Sequence, residues 1–248
     1  MSSRLTATAV ALGRLAIVGR GRMGQALAAA LTRAGCDVLG PLGRGADGAA
    51  ADVVLLCVPD GQIAAAASLI APRRLVGHTS GATPLAPLAP HEAFSIHPLM
   101  TVTGAGASFD GAGCVIAGTT PRALDTAARI ARALGMRTAT VADDDRPLYH
   151  AAASMASNYV VALLGAAESL ATGIGVDGSL LAPLARAAVE NWARQGAAPA
   201  LTGPIARRDE ATVARQREAI ATHAPELLAL WDALAEQTRA LAGVLDEE

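Results

Sequence analysis

A short apolar run, Leu15-Ala16-Ile17-Val18, leads directly into Gly19-Arg20-Gly21-Arg22-Met23-Gly24 and on into Gln25-Ala26-Leu27-Ala28-Ala29-Ala30-Leu31. This is a strand, a GxGxxG turn and a helix, in the order that a dinucleotide-binding unit requires. Gly19 permits the tight turn out of the strand. Gly21 lets the backbone approach a pyrophosphate, whose charge then rests on the helix N-terminus. Gly24 lets the helix pack closely on the strand, and Arg22 and Met23 complete the cofactor-binding turn. Without its neighbours the motif would read as an ordinary glycine-rich βα turn. The flanking strand and helix favour the cofactor reading.

The pattern continues as alternating strands and helices. Strands are expected at Leu15–Val18, Asp37–Leu39, Val53–Val58, Leu75–His78, Ala93–Ile96, Cys114–Ala117 and Arg137–Val141, and helices at Met23–Ala34, Gln62–Ile70 and Pro121–Leu134. Fully apolar strands such as Val53-Val54-Leu55-Leu56-Cys57-Val58 suit a parallel sheet covered on both faces. Only a short stretch from Gly40 to Asp52 separates the second strand from Val53, so the second crossover is truncated. After Val141 the texture changes. Asp143-Asp144-Asp145-Arg146-Pro147 reads as a linker and helix start, and helices are expected over Pro147–Thr172, Asp177–Gln195, Asp209–Ala221 and Ala224–Ala242. The expected architecture is a doubly wound α/β domain over residues 1–144 and an all-α domain over 145–248.

Composition narrows the chemistry. The hydrophobic fraction is 52% and the aromatic fraction 2%, so the core must be built from Ala, Leu, Val and Ile. A net charge of −2 offers no basic field for nucleic acid. All 20 basic residues are arginine, which removes lysine as a general acid, Schiff base or phosphate clamp. Cys36, Cys57 and Cys114 lack metal-ligand spacing and read as buried, reduced thiols of a cytoplasmic protein. Residues Met1 to Gly13 read as a disordered lead-in, too short and polar for a secretory signal. The longest uncharged stretch, Ala151 to Ala167, is too short and too polar on one face for a membrane span and reads as an interface helix.

On the cofactor side, no carboxylate stands at the end of the second strand, where a ribose 2′-hydroxyl would be held. Asp37 lies at that strand's start. Arg20, Arg22 and Arg44 are close in sequence, and a guanidinium binds a 2′-phosphate bidentately, so NADP(H) is favoured over NAD(H). Arg44 also reads as a solvated loop residue. The ends of later strands, Val58-Pro59-Asp60, His78-Thr79-Ser80-Gly81-Ala82 and Ile96-His97-Pro98-Leu99-Met100-Thr101, are expected to line the nicotinamide half of the cleft. Val58, Pro59, His78 and Ser80 are therefore candidate cofactor contacts.

On the substrate side, His150, Ser154 and Asn158 recur at four-residue spacing and are expected to share one helical face. That stripe binds substrate or hydrogen-bonds a neighbouring helix. Leu201-Thr202-Gly203-Pro204-Ile205-Ala206-Arg207-Arg208-Asp209 reads as a carboxylate-binding loop, with the Thr202 hydroxyl and Arg207 or Arg208, or as a plain helix start capped by Asp209.

The segments His78-Thr79-Ser80-Gly81, Ile96 to Thr101, Arg146 to Asn158 and Leu201 to Arg207 together resemble the bacterial Rossmann-like proteins with a 6-phosphogluconate-dehydrogenase-like C-terminal domain, a group long catalogued as a domain of unknown function. More distantly the layout is similar to ketopantoate reductases, β-hydroxyacid dehydrogenases and pyrroline-5-carboxylate reductases. The resemblance implies a Rossmann-type domain, dimerisation through the helical domain and reduction of ketopantoate to pantoate. In the β-hydroxyacid dehydrogenases and ketopantoate reductases, a lysine stands where this chain has Ser154, with an asparagine matching Asn158. Thr202-Gly203-Pro204 partly matches the carboxylate loop of the pyrroline-5-carboxylate reductases.

These readings converge on an NADPH-dependent reductase of a small 2-oxo carboxylate. His150 and His97 are the candidate acids, with His150 preferred. Ser154 and Asn158 would orient the substrate oxygen, and Thr202 would hold the carboxylate. Three alternatives stay open: an imine reductase, a non-catalytic NADP-binding regulator and a deazaflavin-dependent NADP reductase. The Ala- and Leu-rich helical faces point to a homodimer.

Overall fold

The structure is a computed structural model that describes residues 12–102, 104 and 106–243. Residues 1–11 of the expected lead-in lie outside the described part, but Leu12 packs into the core. Contacts divide the described chain into two units, one up to Ser157 and one from Asn158 onward. The division falls within a run of helical residues that begins at Arg146.

The first unit is a seven-stranded sheet with strands β1 Leu15–Val18, β2 Val38–Leu42, β3 Val53–Leu56, β4 Leu75–His78, β5 Glu92–Leu99, β6 Gly113–Gly118 and β7 Arg137–Thr140. Their spatial order is β2-β1-β3-β4-β5-β6-β7. Strands β1 to β5 are mutually parallel, so their carboxyl ends share one edge of the sheet. The order reverses between β1 and β3, and ligands of open α/β sheets bind at such a switch point.

Both faces of the sheet are covered, which explains the continuous apolar strands. Leu15 and Ile17 face a core shared with α1 (Arg22–Arg33) and α3 (Pro121–Ala133). Ala16 and Val18 face a second core, shared with α2 (Ile63–Ala67). Alternate residues thus reach opposite layers.

Two features depart from the simplest doubly wound plan. No helix joins β2 to β3, as the short stretch before Val53 required, and a loop carries the crossover. Strand β6 runs antiparallel to β5, and β7 is parallel to β6. A parallel return needs a long crossover, usually a helix. None occurs among the described residues between Leu99 and Gly113, so the chain doubles back.

The second unit is helical. Helix α4 (Arg146–Ser154) is the last α-helix of the first unit, a π turn over Met155–Tyr159 spans the division, and α5 (Val160–Gly173), α6 (Leu181–Gln195), α7 (Ala197–Ala200), α8 (Glu210–His223) and α9 (Leu228–Gly243) complete the described chain. Among the unit's described residues, Val213, Ile220, Ala224 and Ala235 are the buried apolar side chains. Its large apolar residues Val161, Leu180, Leu184 and Trp192 are more than half exposed. No helix among the described residues is long and apolar enough to cross a membrane.

Candidate active site

The glycine-rich turn builds the first part of the site. Gly19 has φ +126°, and a Cβ there would lie 2.1 Å from the Cys57 carbonyl oxygen. A Cβ on Gly24 would lie 1.9 Å from the Gly19 carbonyl oxygen. These positions bring β1, β3 and α1 closer together than any other residue allows. A Cβ on Gly21 would meet nothing within 4 Å, because that residue faces open space. Gly21 is also the N-cap of α1, with no side-chain cap and no acidic residue in the first turn. The first N–H groups of the helix are therefore free for an anion.

That open space is a cavity of about 560 Å³, lined by Gly19, Arg20 and Gly21 after β1, by Gly43 to Ala46 after β2, and by Val58 and Pro59 after β3. Its position at the switch point and its free helix N-terminus fit a dinucleotide. Arg20 and Arg44 both line it, and the Arg20 guanidinium lies about 3.4 Å from where a Gly43 Cβ would stand. Arg22 is exposed, and the Met23 side chain packs against the core. Neither Arg22 nor Met23 lines the cavity. Asp37 is ion-paired with Arg14 at 3.0 Å, at the far end of β2 from the cavity. Cys57 and Cys114 are buried, and all three cysteines are free. Burial pushes the Cys57 and Cys114 thiols up to about 12.

A polar cluster stands beyond β4 and β5. The last register pair of these strands is His78 with Ser95, and β5 continues to Leu99, which carries His97 past the end of its neighbour. His97 Nδ1 is hydrogen-bonded to the Tyr149 hydroxyl, and the two rings meet edge to face with centroids 5.6 Å apart. The His150 ring lies 6.0 Å from that of His97. A Cβ on Gly81 would stand 2.7 Å from His97 Nδ1 and 2.9 Å from His150 Cδ2, so the loop backbone presses on both rings. Burial, reinforced by His150 and Arg146, lowers the His97 pKa to about 4. Burial and the Cys114 thiol raise that of Tyr149 to about 12, against the pull of Arg146.

Behind these rings lies Arg146, 1% exposed. Its Nε donates to Asp143 at 2.6 Å and its Nη2 to the Ser95 hydroxyl at 2.7 Å, whereas Nη1 has no partner. Asp143 also accepts from the Leu85 N–H at 3.3 Å, tying the loop after β4 to the start of α4. Burial alone would raise the Asp143 pKa, but its hydrogen bond from Arg146 holds it below the usual range.

The predicted residues sort out as follows. His97 and His150 come together. His78 is fully buried, with Nε2 facing the Pro84 carbonyl at 3.3 Å and Nδ1 accepting the Ser80 N–H at 3.2 Å, so neither nitrogen is left for a cofactor. Ser80 donates to Asp60 at 2.8 Å and accepts the Thr83 N–H at 2.9 Å, shaping the loop that carries Gly81. Ser154 closes α4, and Asn158 falls in the π turn and in the second unit. The shared-face expectation assumed an unbroken α-helix. A π turn bonds i to i+5 and shifts the phase of Asn158, and such turns are frequent at functional sites. Thr202 is exposed in the second unit, before a turn in which Gly203 has φ +92° and Asp209 caps α8 through the Thr212 N–H at 3.0 Å. Tyr149 and Arg146 were missed as site residues, whereas Asp60 and Gly81 fall in strand ends expected to line the cleft. Tyr149 carried one usable signal, since it is one of only two tyrosines and adjoins His150.

Residues 112–238, just over half of the chain, match the family described as Domain of unknown function (DUF2520). No curated protein matches the chain. Among solved structures, the chain is similar to protein TM1727 from Thermotoga maritima, with 21% identity, a TM-score of 0.80, and coverage of 94% of this chain and 99% of that one. It is similar to BF3122 from Bacteroides fragilis, provisionally described as an NADP oxidoreductase, with 18% identity, a TM-score of 0.75, and coverage of 92% and 98%. It is also similar to 1-pyrroline-5-carboxylate reductase from Streptococcus pyogenes, with 13% identity, a TM-score of 0.63, and coverage of 93% and 98%. At these identities the likeness is one of fold: a Rossmann-type sheet followed by a helical region.

Proposed function

The chain belongs to the DUF2520 family, whose description assigns no activity, and from its site we propose that it is a nicotinamide-dependent reductase of a small 2-oxo carboxylate, with ketopantoate as the first substrate to test. The observation that carries this reading is the cavity at the β1/β3 switch point, open at Gly21 and headed by the uncapped N-terminus of α1. The names of two structural neighbours, an NADP oxidoreductase and a pyrroline-5-carboxylate reductase, point the same way.

In this reading the free N–H groups of α1 hold the pyrophosphate, and Arg20 and Arg44 hold a 2′-phosphate, which selects NADPH. A nicotinamide bound there would supply the hydride for the carbonyl carbon. The oxygen of that carbonyl then needs one proton, and the cluster of His97, Tyr149 and His150 supplies it. Ser154 and Asn158 orient the substrate, and Thr202 meets its carboxylate. The helical unit, with so little apolar surface buried within it, assembles with a second copy of the chain.

A second reading has its own support. The chain has no lysine, and a protonated imine demands less of a protein acid than a ketone does. Oxidation of NADPH followed by its absorbance, with ketopantoate, other 2-oxo acids and cyclic imines in parallel, tests both. Turnover of a 2-oxo acid supports the main reading and turnover of cyclic imines alone the second. Tight NADPH binding with no turnover of either class would refute both and leave a nucleotide-binding regulator.

A further inference from the structure

We propose that Tyr149 is the proton donor of the site and that His97 is its positioning partner, donating from Nδ1 to the phenol oxygen. This rests on the reductase reading above. Three observations on separate elements converge on it: the hydrogen bond between Tyr149 on α4 and His97 on β5, the Gly81 loop packed against the His97 ring, and a buried arginine with an unpartnered Nη1 nearby.

A neutral imidazole carries one ring proton, on Nδ1 or on Nε2. His97 is uncharged at neutral pH, so it has no imidazolium proton to give. If its proton sat on Nε2, the Tyr149 proton would be tied up on Nδ1. With the proton on Nδ1, the imidazole donates to the phenol oxygen, and the Tyr149 proton is free to point at a substrate. His150 lies beside the pair, its ring 6.0 Å from that of His97.

The step balances as follows. The carbonyl carbon gains a hydride from reduced nicotinamide, and the C=O π pair moves to oxygen. That oxygen takes the Tyr149 proton, leaving an alcohol, oxidised nicotinamide and a phenolate. The phenolate is held by the His97 Nδ1–H and by the positive field of Arg146, and it recovers a proton from water. A phenol at about 12 is a stronger acid than the alcohol formed, so the transfer runs downhill. The groups that act on the pair are Arg146, Asp60, His78 and His150 around His97, with Arg146 and Cys114 around Tyr149.

The test compares the full-length native chain with Tyr149→Phe, Tyr159→Phe, His97→Asn and His97→Ala. Tyr149→Phe is expected to lower kcat by about 10²–10⁴, while the NADPH Kd and the Tyr159→Phe variant stay near native. His97→Asn, which keeps an N–H, is expected to retain more activity than His97→Ala. Independently of activity, ¹⁵N spectra are expected to show His97 protonated on Nδ1 at neutral pH. Tyr149→Phe with kcat within about threefold of native overturns the donor role. So does a His97 found protonated on Nε2, with or without a substrate in hand. Absence of turnover by the native chain overturns the reductase reading, and the donor role falls with it even if the Nδ1 tautomer is observed.

Discussion

Acid should destabilise the protein through His97, by an amount that the geometry sets. An imidazole free in the unfolded chain titrates near 6.5, whereas burial beside His150 and Arg146 brings the folded His97 to about 4. The unfolded state therefore binds more protons between these values. Stability is fully present above 6.5 and falls as the pH drops toward 4. The lowering corresponds to about 3 kcal/mol at most, since the ring is only half-buried and water relieves part of the cost. Asp143, whose pKa is also lowered, loses its contribution in acid as well, so native unfolding alone does not isolate His97. The comparison with His97→Asn does, because an amide cannot titrate. Urea unfolding followed by far-ultraviolet circular dichroism, at pH 7.5 and at pH 4, gives the two differences. The gap between native and variant should shift in the variant's favour by about 2–3 kcal/mol on acidification. An unchanged gap would mean that His97 is accessible to protons in the folded state, which would falsify the burial argument.

Other outcomes follow from the same geometry. Gly24→Ala should cost about 1–3 kcal/mol and abolish NADPH binding, because its Cβ would sit against the Gly19 carbonyl; retained binding in a fluorescence titration would show that the turn can yield. Arg44→Ala should weaken NADPH by about tenfold or more while leaving NADH unchanged. An unaltered ratio of the two dissociation constants would remove Arg44 from the 2′-phosphate site. Leu184→Glu combined with Trp192→Glu places charge on two exposed apolar positions of α6. Sedimentation should show the native chain as a dimer and the variant as a monomer, and a native monomer at micromolar concentration would refute the assembly.

Much of this was legible in the residues, for identifiable reasons. The strands β1 and β3 are uninterrupted apolar runs because both of their faces are covered, and a run such as Val53-Val54-Leu55-Leu56 has few other uses. The glycine turn was legible because close approach at Gly19 and Gly24 admits no other residue. Strand direction was not, since the sequence Cys114-Val115-Ile116-Ala117 reads the same whether it runs with β5 or against it. Nor was the role of Arg146, because an arginine is almost never fully buried unless paired, and although Asp143 lies three residues before it, its second partner Ser95 is brought to it only by the fold. The four-residue spacing of His150, Ser154 and Asn158 was real, but spacing alone does not reveal where a helix widens.

The truncated crossover after β2 has a consequence at the rim of the sheet. With no further strand beyond it among the described residues, β2 is an edge, and an open edge is a template on which another chain can pair. Here the edge carries Gly40 at φ +116° and Pro41, which has no N–H to offer. The short stretch that lines the cavity after β2 thus also breaks the ladder of donors along the exposed border, and guards the chain against edge-to-edge aggregation.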